Sequence, residues 1–507
     1  MPPNILLIIL DTLRRDRLSI YGHNRPTSPA FDEFAARATL YERAVSPSQW
    51  TIPAHSSLFT GLYPSAHGVI EASGQLSPAH PTLAEILQVG GYHTVAICNN
   101  PLVGALDNGL QRGFDQFYNY ASAVPNRPSD ARKSDLRLRF RRWFRPYARR
   151  IGNHFAHNDA LFRVSLNPLF TPIWTRYINF KGNTAGSIDD LIEYWDAYHA
   201  GGAQQPMFAF VNLMGTHLPY HPPQDVMDRL APELRGDREA YRYMTRFNAD
   251  GAAWASPPDE PMTDWQKMVL NGFYDAEIAY QDEHLHKLLA HLRGTGAFDN
   301  TAIIIAADHG EGHGEHDLFG HGFNVFQELI HVPLAVHLPD AAEGQHLTHN
   351  VSTRRLFHTI LDLAGVDAPL DASDPNGDIA RLSLLNKAAD TETAAFSEAF
   401  PPSTFLHVLQ HRSPAVIERL RLRQVRRAVY EGDYKLTMRE NTVENLFNFA
   451  ADPAENANLA AAQPDLIAPL ERKVSAFVQT MRRPTDTRTA EVDEKVVEQL
   501  RALGYIE

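Results

Sequence analysis

Four residues, far apart in the chain, are of the types that could hold one divalent cation beside a nucleophile: Asp11, Thr51, Asp308 and His309. Two carboxylates, a hydroxyl and an imidazole suit Mn, Zn, Mg or Ca, and the donor set does not choose among them. A cation touching the Thr51 oxygen would lower its pKa and aim it as a nucleophile. Thr51 stands in the stretch Gln49-Trp50-Thr51-Ile52-Pro53-Ala54-His55, which reads as the first turn of a helix. With Pro53 as the first helical residue, Thr51 lies at or just before the N-cap, in the field of free backbone N–H groups. A threonine there also serves as a plain helix cap. The acids and histidines elsewhere tip the reading toward chemistry.

Further imidazoles stand at His55, His217, His313, His316 and His321. Taken singly, each reads as a surface or core histidine. His217 closes a strand-like run, and His321 follows His309 by twelve residues in the glycine-rich GEGHGEHDLFGHG. An imidazole can act as a general acid, and its charged form can hold a non-bridging anionic oxygen.

Strands must carry these groups to one place. Asn4–Leu10 (NILLIIL) is a continuous apolar run ending at Asp11, the pattern of a strand buried on both faces. His93–Cys98 ends at Asn99-Asn100, Met207–Leu213 leads to Thr216-His217, and Thr301–Ala307 ends at Asp308-His309. Val332–Leu338 is a fifth strand; helices are expected over Leu83–Val89 and Trp265–Leu292. Strands alternating with helices predict an α/β fold, a mainly parallel sheet sandwiched by helices, with its ligand crevice at the strands' carboxyl ends. Arg426–Met438 reads as a hairpin turning at Glu431-Gly432-Asp433, followed by a helix near Leu466–Met481: a small C-terminal α+β subdomain. The expected organisation is a catalytic domain over 1–385, the subdomain over 386–481, and a linker with a last helix, Glu491–Leu503, over 482–507.

Composition narrows the function. At 507 residues with 44% hydrophobic and 21% charged residues, the chain is ordinary globular material, large enough for more than one core. A net charge of -13 argues against a general nucleic-acid partner. The single cysteine, Cys98, excludes an internal disulfide and a thiolate metal cluster. No run is long enough for a transmembrane segment, and Ile5–Leu10 is too short for a signal-peptide core, so a cytoplasmic location is expected. One segment departs from the acidic average: Arg127–Arg150 carries ten Lys/Arg against Asp130 and Asp135, leaving the rest of the chain at about -21. Within an insertion of about 120–180, it reads as a solvated helix on an acidic surface. It also suits a lid, or a docking surface for an anionic substrate or lipid headgroups in peripheral membrane contact.

Taken together, these motifs resemble the sulfatase branch of the alkaline phosphatase superfamily. NILLIILD is similar to the family's first strand. The nucleophile motif, Cys/Ser-x-Pro-Ser-Arg-x-x-Leu-x-Thr-Gly, aligns with Thr51 to Gly61 (TIPAHSSLFTG), and YPSAHGV, YDAEIAYQD, DHGE and LFNFAADPAENANLA also match. The resemblance spans nearly the whole chain apart from roughly 120–180. It implies an alkaline-phosphatase-like fold and a metal held by Asp11, Thr51, Asp308 and His309.

The departures shape the expected activity. Sulfatases convert the motif cysteine or serine to formylglycine; Thr51 cannot form that aldehyde, so no formylglycine is expected. The motif arginine is His55, the acid after the first Asp is Thr12, the Lys-x-His segment falls at Asn99-Asn100-Pro101, and the lysine after DHGE is His321. Asn100 thus stands where the family contacts the substrate, and His55, His217 and His321 are the candidate catalytic imidazoles. A threonine ester must be resolved by attack at the central atom. The expected activity is therefore metal-dependent hydrolysis of a small or lipid-like anionic phosphate ester, a diester or phosphonate monoester, through a covalent Thr51 intermediate. Alternatives are a sulfuric ester hydrolase using Thr51, a phosphoryl transferase to an alcohol, and an inactive binding relative.

Overall fold

The computed structural model describes residues 2–104, 106–121, 126–128, 158–165, 167–173, 181–255, 257, 260–339, 344–366, 377–386 and 394–481. Nearly all of the basic stretch Arg127–Arg150 lies outside the described residues, as do the expected linker and last helix over 482–507.

The central sheet is built from β1 (Asn4–Leu10), β2 (Thr39–Val45), β3 (His93–Cys98), β4 (Gln116–Asn119), β5 (Met207–Leu213), β6 (Thr301–Ala306), β7 (Leu334–His337) and β8 (Gln345–Ser352). Their order is β8-β2-β7-β6-β1-β5-β3-β4, with the short His331–Val332 strand added beside β2. β1 pairs in parallel with both β5 and β6, in unbroken register. Its run of isoleucines and leucines is buried on both faces, as a central strand between helical layers must be. β7 runs antiparallel to both β6 and β2, so β2 again points the same way as β1. The apolar run expected over Val332–Leu338 is split at Pro333, which has no N–H for a ladder.

This directionality decides where the chemistry lies. The carboxyl ends of β1, β2, β5 and β6 open on one edge, delivering Asp11, the segment leading to Thr51, the Met214–His217 turn and Asp308-His309 to one crevice.

Helices cover the sheet. The long Asp264–Gly294 helix starts with a capping box between Thr263 and Gln266. Its Tyr274 hydroxyl donates to Thr12 O (2.7 Å) and accepts from Arg14 N (2.8 Å), clamping the turn after Asp11.

The C-terminal part forms a second, antiparallel sheet: β9 (Ala394–Ala399), β10 (Arg426–Glu431), β11 (Tyr434–Arg439) and β12 (Thr442–Asn448). The Pro464–Thr480 helix lays Leu470, Val474 and Phe477 against it. The hairpin turns at Gly432, with φ +55°. β9 is joined to the segment that precedes Thr51. Glu398 N donates to Pro47 O (3.0 Å), and the Ser48 hydroxyl donates to Glu398 O (3.1 Å). The buried Glu398 carboxylate accepts from Ser65 N (2.8 Å) and from Arg427 Nε (2.9 Å).

Candidate active site

Thr51 is the first residue of the Thr51–Thr60 helix, with Trp50 as its N-cap. This corrects the register expected from Pro53, which sits at the third helical position. Proline fits anywhere in the first turn, because those N–H groups have no intrahelical partner. The N-cap Trp50 makes no side-chain cap, and the Thr51 hydroxyl bonds His309. Every residue of this helix is buried, and it stops at Gly61 in the left-handed region (φ +71°). A Cβ at Gly61 would come within 2.5 Å of the His358 ring. Upstream, the Gln49 amide donates to Gly322 O (3.1 Å) and Phe400 O (3.2 Å), tying the segment before Thr51 to the His321 loop and to the residue that follows β9.

The structure brings Asp11, Asp308 and His309 together, with one ligand atom from each within 4.8 Å of the others. Thr51 Oγ1 lies 3.3 Å from His309 Nε2. All four residues are essentially buried. His309 Nδ1 donates to Gly310 O (2.8 Å), so its Nε2 presents a bare lone pair to the centre. Gly310 is required there: a Cβ would lie 2.0 Å from Glu328 O. Thr12, between the Asp11 end of β1 and the Tyr274 clamp, has φ +59°, a backbone strain held at the site.

Each carboxylate has one oxygen tied down and one left over. Asp11 Oδ2 accepts from Asn100 Nδ2 (2.6 Å) and Asn212 Nδ2 (3.1 Å). Asp308 Oδ1 accepts from His309 N (2.9 Å) and Thr12 N (3.2 Å). Asp11 Oδ1 and Asp308 Oδ2 are buried and have no hydrogen-bond partner. Burial, with the Asp308 charge beside it, raises Asp11 to about 7. Burial likewise raises Asp308 to about 7. Two orphaned, mutually repelling oxygens facing a bare imidazole nitrogen fit a divalent cation, which would neutralise them and occupy their free lone pairs.

The histidines divide into two groups. His55 lies under the site: Nδ1 donates to Thr51 O (2.9 Å), Nε2 accepts from Asn212 (3.2 Å), and the ring packs edge-on against Phe59 and Phe210. Burial lowers it to about 3, so it is neutral. It supports the turn that carries Thr51, with both ring nitrogens engaged. His321 and His217 stand over the centre, with ring centroids 4.6 Å between His309 and His321 and 5.4 Å between His321 and His217. Burial would lower His321, but the Glu311 carboxylate, 2.8 Å from its Nδ1, outweighs that and raises it above the ordinary histidine value. His217 donates from Nδ1 to Leu218 O (2.7 Å), and burial together with His321 lowers it well below the ordinary value.

Asn100 occupies a different place from the one expected. It is fully buried, its Nδ2 is spent on Asp11 and its Oδ1 accepts from Leu102 N (2.8 Å), so it holds the Asp11 carboxylate rather than facing the crevice where substrate was expected. His313 and His316 lie apart from the centre: His313 contacts Tyr220 and Asn271, and His316 stacks on Phe326. Two supporting residues went unread. Asn212 is the one polar residue in the apolar MFAFVNL, a position that signals a partner across the sheet edge. Glu311 is the acid of DHGE, and its role emerges only once the loop folds back to bring His321 against it.

The fold and this centre are those of a hydrolase of the alkaline phosphatase superfamily. The Sulfatase family model matches residues 3–366, and the chain belongs to the sulfatase family, hydrolases acting on sulfate or phosphonate and phosphate esters. It is 22% identical over 494 residues to arylsulfatase K of Bos taurus (94% of this chain, 82% of the relative). It is 23% identical over 479 residues to choline-sulfatase of Rhizobium meliloti strain 1021 (90% and 82%). The phosphonate monoester hydrolase of Agrobacterium radiobacter superposes with a TM-score of 0.65 at 20% identity, covering 95% of each chain. No helix among the described residues is long and apolar enough to cross a membrane.

Proposed function

We propose that this chain hydrolyses a small or lipid-like phosphate ester, a diester or a phosphonate monoester, through a covalent ester on Thr51. The observation that carries this reading is the Thr51 hydroxyl, at the first residue of a helix and hydrogen-bonded (3.3 Å) to His309 Nε2, beside two carboxylate oxygens without a partner. A divalent cation held by Asp11, Asp308, His309 and Thr51 would supply the charge that ionises the hydroxyl and offsets the ester's anionic oxygens.

The chain's own groups do the rest. Thr51 Oγ1 attacks phosphorus and the bond to the leaving oxygen breaks. His321, fixed through Nδ1 by Glu311, gives the proton on its Nε2 to that oxygen. It then takes a proton from water, which attacks phosphorus and releases Thr51. The helix N-terminus favours the anionic group throughout. His217, held neutral beside His321, adds no second fixed charge. Centres with few permanent cations favour monoanionic esters over dianionic monoesters. A structural neighbour named as a phosphonate monoester hydrolase agrees with this reading.

Sulfuric ester hydrolysis is the second reading, favoured by relatives named arylsulfatase K and choline-sulfatase. A panel of chromogenic phosphodiesters, phosphonate monoesters and aryl sulfates, run on metal-stripped and reconstituted enzyme, tests the choice. Efficient aryl sulfate turnover with the diesters and phosphonates inert would overturn the first reading in favour of the second.

A further inference from the structure

A cavity of about 270 Å³ lies between the loop that carries His321 and the C-terminal hairpin. It shares no lining residue with the Thr51 centre. Three guanidinium groups line it, Arg419, Arg426 and Arg439, against one carboxylate, Glu444. The buried Arg426 is fully engaged: Nε and Nη2 hold Glu444 (2.9 and 3.1 Å), Nη1 reaches Phe323 O (3.3 Å) and Nη2 reaches Leu420 O (2.7 Å). Arg439 gives Glu444 only Nη1 (2.9 Å), leaving its other donors unassigned. Arg419 is exposed and makes no ion pair among the described residues. The lining therefore carries an uncompensated charge of about +2 with free N–H donors, which is what an anion needs.

Two further features point the same way. Asn324 is 4% exposed; its Oδ1 accepts from Phe326 N (3.0 Å), while its Nδ2 donates to no acceptor among the described residues. Asn324 lines the cavity, so this amide donor, without a protein partner, is open to a ligand acceptor there. At the rim, His316 and Asp317 are consecutive non-glycine residues in the left-handed region (φ +54° and +57°). Such strain collects where a chain is shaped to receive something.

We propose that this cavity is a second anion-binding site, distinct from the Thr51 centre. It would take a small molecule that carries a phosphate, sulfate or carboxylate group on a short polar body. Its volume is below the roughly 300–1,000 Å³ of pockets for drug-sized ligands, so the occupant is small. Arg419, Arg439 and Asn324 Nδ2 donate to the anion, and the Thr437 hydroxyl remains as a further donor.

The test is calorimetric titration of the metal-loaded full chain with sulfate, phosphate and succinate separately, alongside each anion's inhibition constant in ester hydrolysis. The expected result is one binding event beyond active-site binding for at least one of the anions. Arg419→Ala with Arg439→Ala should weaken it at least tenfold, and the charge-neutral Asn324→Ala about fivefold, while the active-site inhibition constant stays unchanged. Arg419→Ala alone, at an exposed position, keeps the test valid if the double variant misfolds. Identical isotherms in all variants would overturn the site. So would an inhibition constant that moves in step with the arginines, or an effect of charge removal without any effect of Asn324→Ala.

Discussion

Removing the Thr51 hydroxyl separates a nucleophile from a structural threonine. Thr51 is 1% exposed, its one side-chain hydrogen bond is the 3.3 Å contact to His309, and it caps nothing. Thr51→Ala forfeits that bond, worth about 1 kcal/mol, and one buried methyl, worth about 0.8 kcal/mol. A loss of roughly 2 kcal/mol against a typical 5–15 kcal/mol leaves the protein folded. Turnover answers to a different scale. Deleting a nucleophile that acts as one unit with its neighbours costs about 10⁴–10⁶ in kcat, or ~5–8 kcal/mol of transition-state stabilisation. Thr51→Ser keeps the oxygen and should stay within about a hundredfold of wild type. The assays are chromophore release, bound metal and thermal melting on all three proteins, with acid-quenched peptide mass analysis to find the Thr51 ester. Thr51→Ala with full metal content and kcat within tenfold of wild type would refute the reasoning.

Asn100→Ala leaves Asp11 Oδ2 with only its longer Asn212 bond (3.1 Å), so metal affinity should fall about 10–100-fold by chelator competition, with KM nearly unchanged at saturating metal. Stripped of metal, the protein should become less stable as pH rises from about 4 to 7. Asp11 and Asp308 hold their protons to about 7 when folded, whereas the unfolded chain releases them near 3.8; melting curves with and without restored metal check this. Lys435→Met leaves Glu455 buried without its 2.8 Å partner and should cost about 3–5 kcal/mol in denaturant unfolding. Charge reversal across Arg127–Arg150 should raise KM for bulky anionic esters and leave that for small ones alone.

The sheet was legible where burial on both faces leaves a continuous apolar run: NILLIIL and TAIIIA became β1 and β6 because central parallel strands admit little else. Asp11 and Asp308 were legible for the same reason, as the first polar residues past those runs. The direction of β7 was not, since an apolar run carries no arrow and its reversal shows only in the pairing with β2 and β6. Thr51 was identified while its helix register was off by two, because a proline marks a first turn without fixing its position in it. The roles of Asn100, Asn212 and Glu311 were out of reach. Each is defined by a partner that only the folded chain brings near, such as Asp11 for Asn100 and Asn212.

The two carboxylates of the centre sit on neighbouring strands, yet 297 residues separate Asp11 from Asp308. On a ribosome adding about 5–20 residues per second, β1 waits roughly 15–60 s for β6 to be made. Until then Asp11 has no adjoining carboxylate, His309 has not been synthesised, and the apolar β1 lacks a neighbour on that side. The proposed metal capture would therefore be a late event in the life of the nascent chain. It would report that the chain through His309 is in place, and a truncated product ending before β6 would carry an open sheet edge and lack both Asp308 and His309.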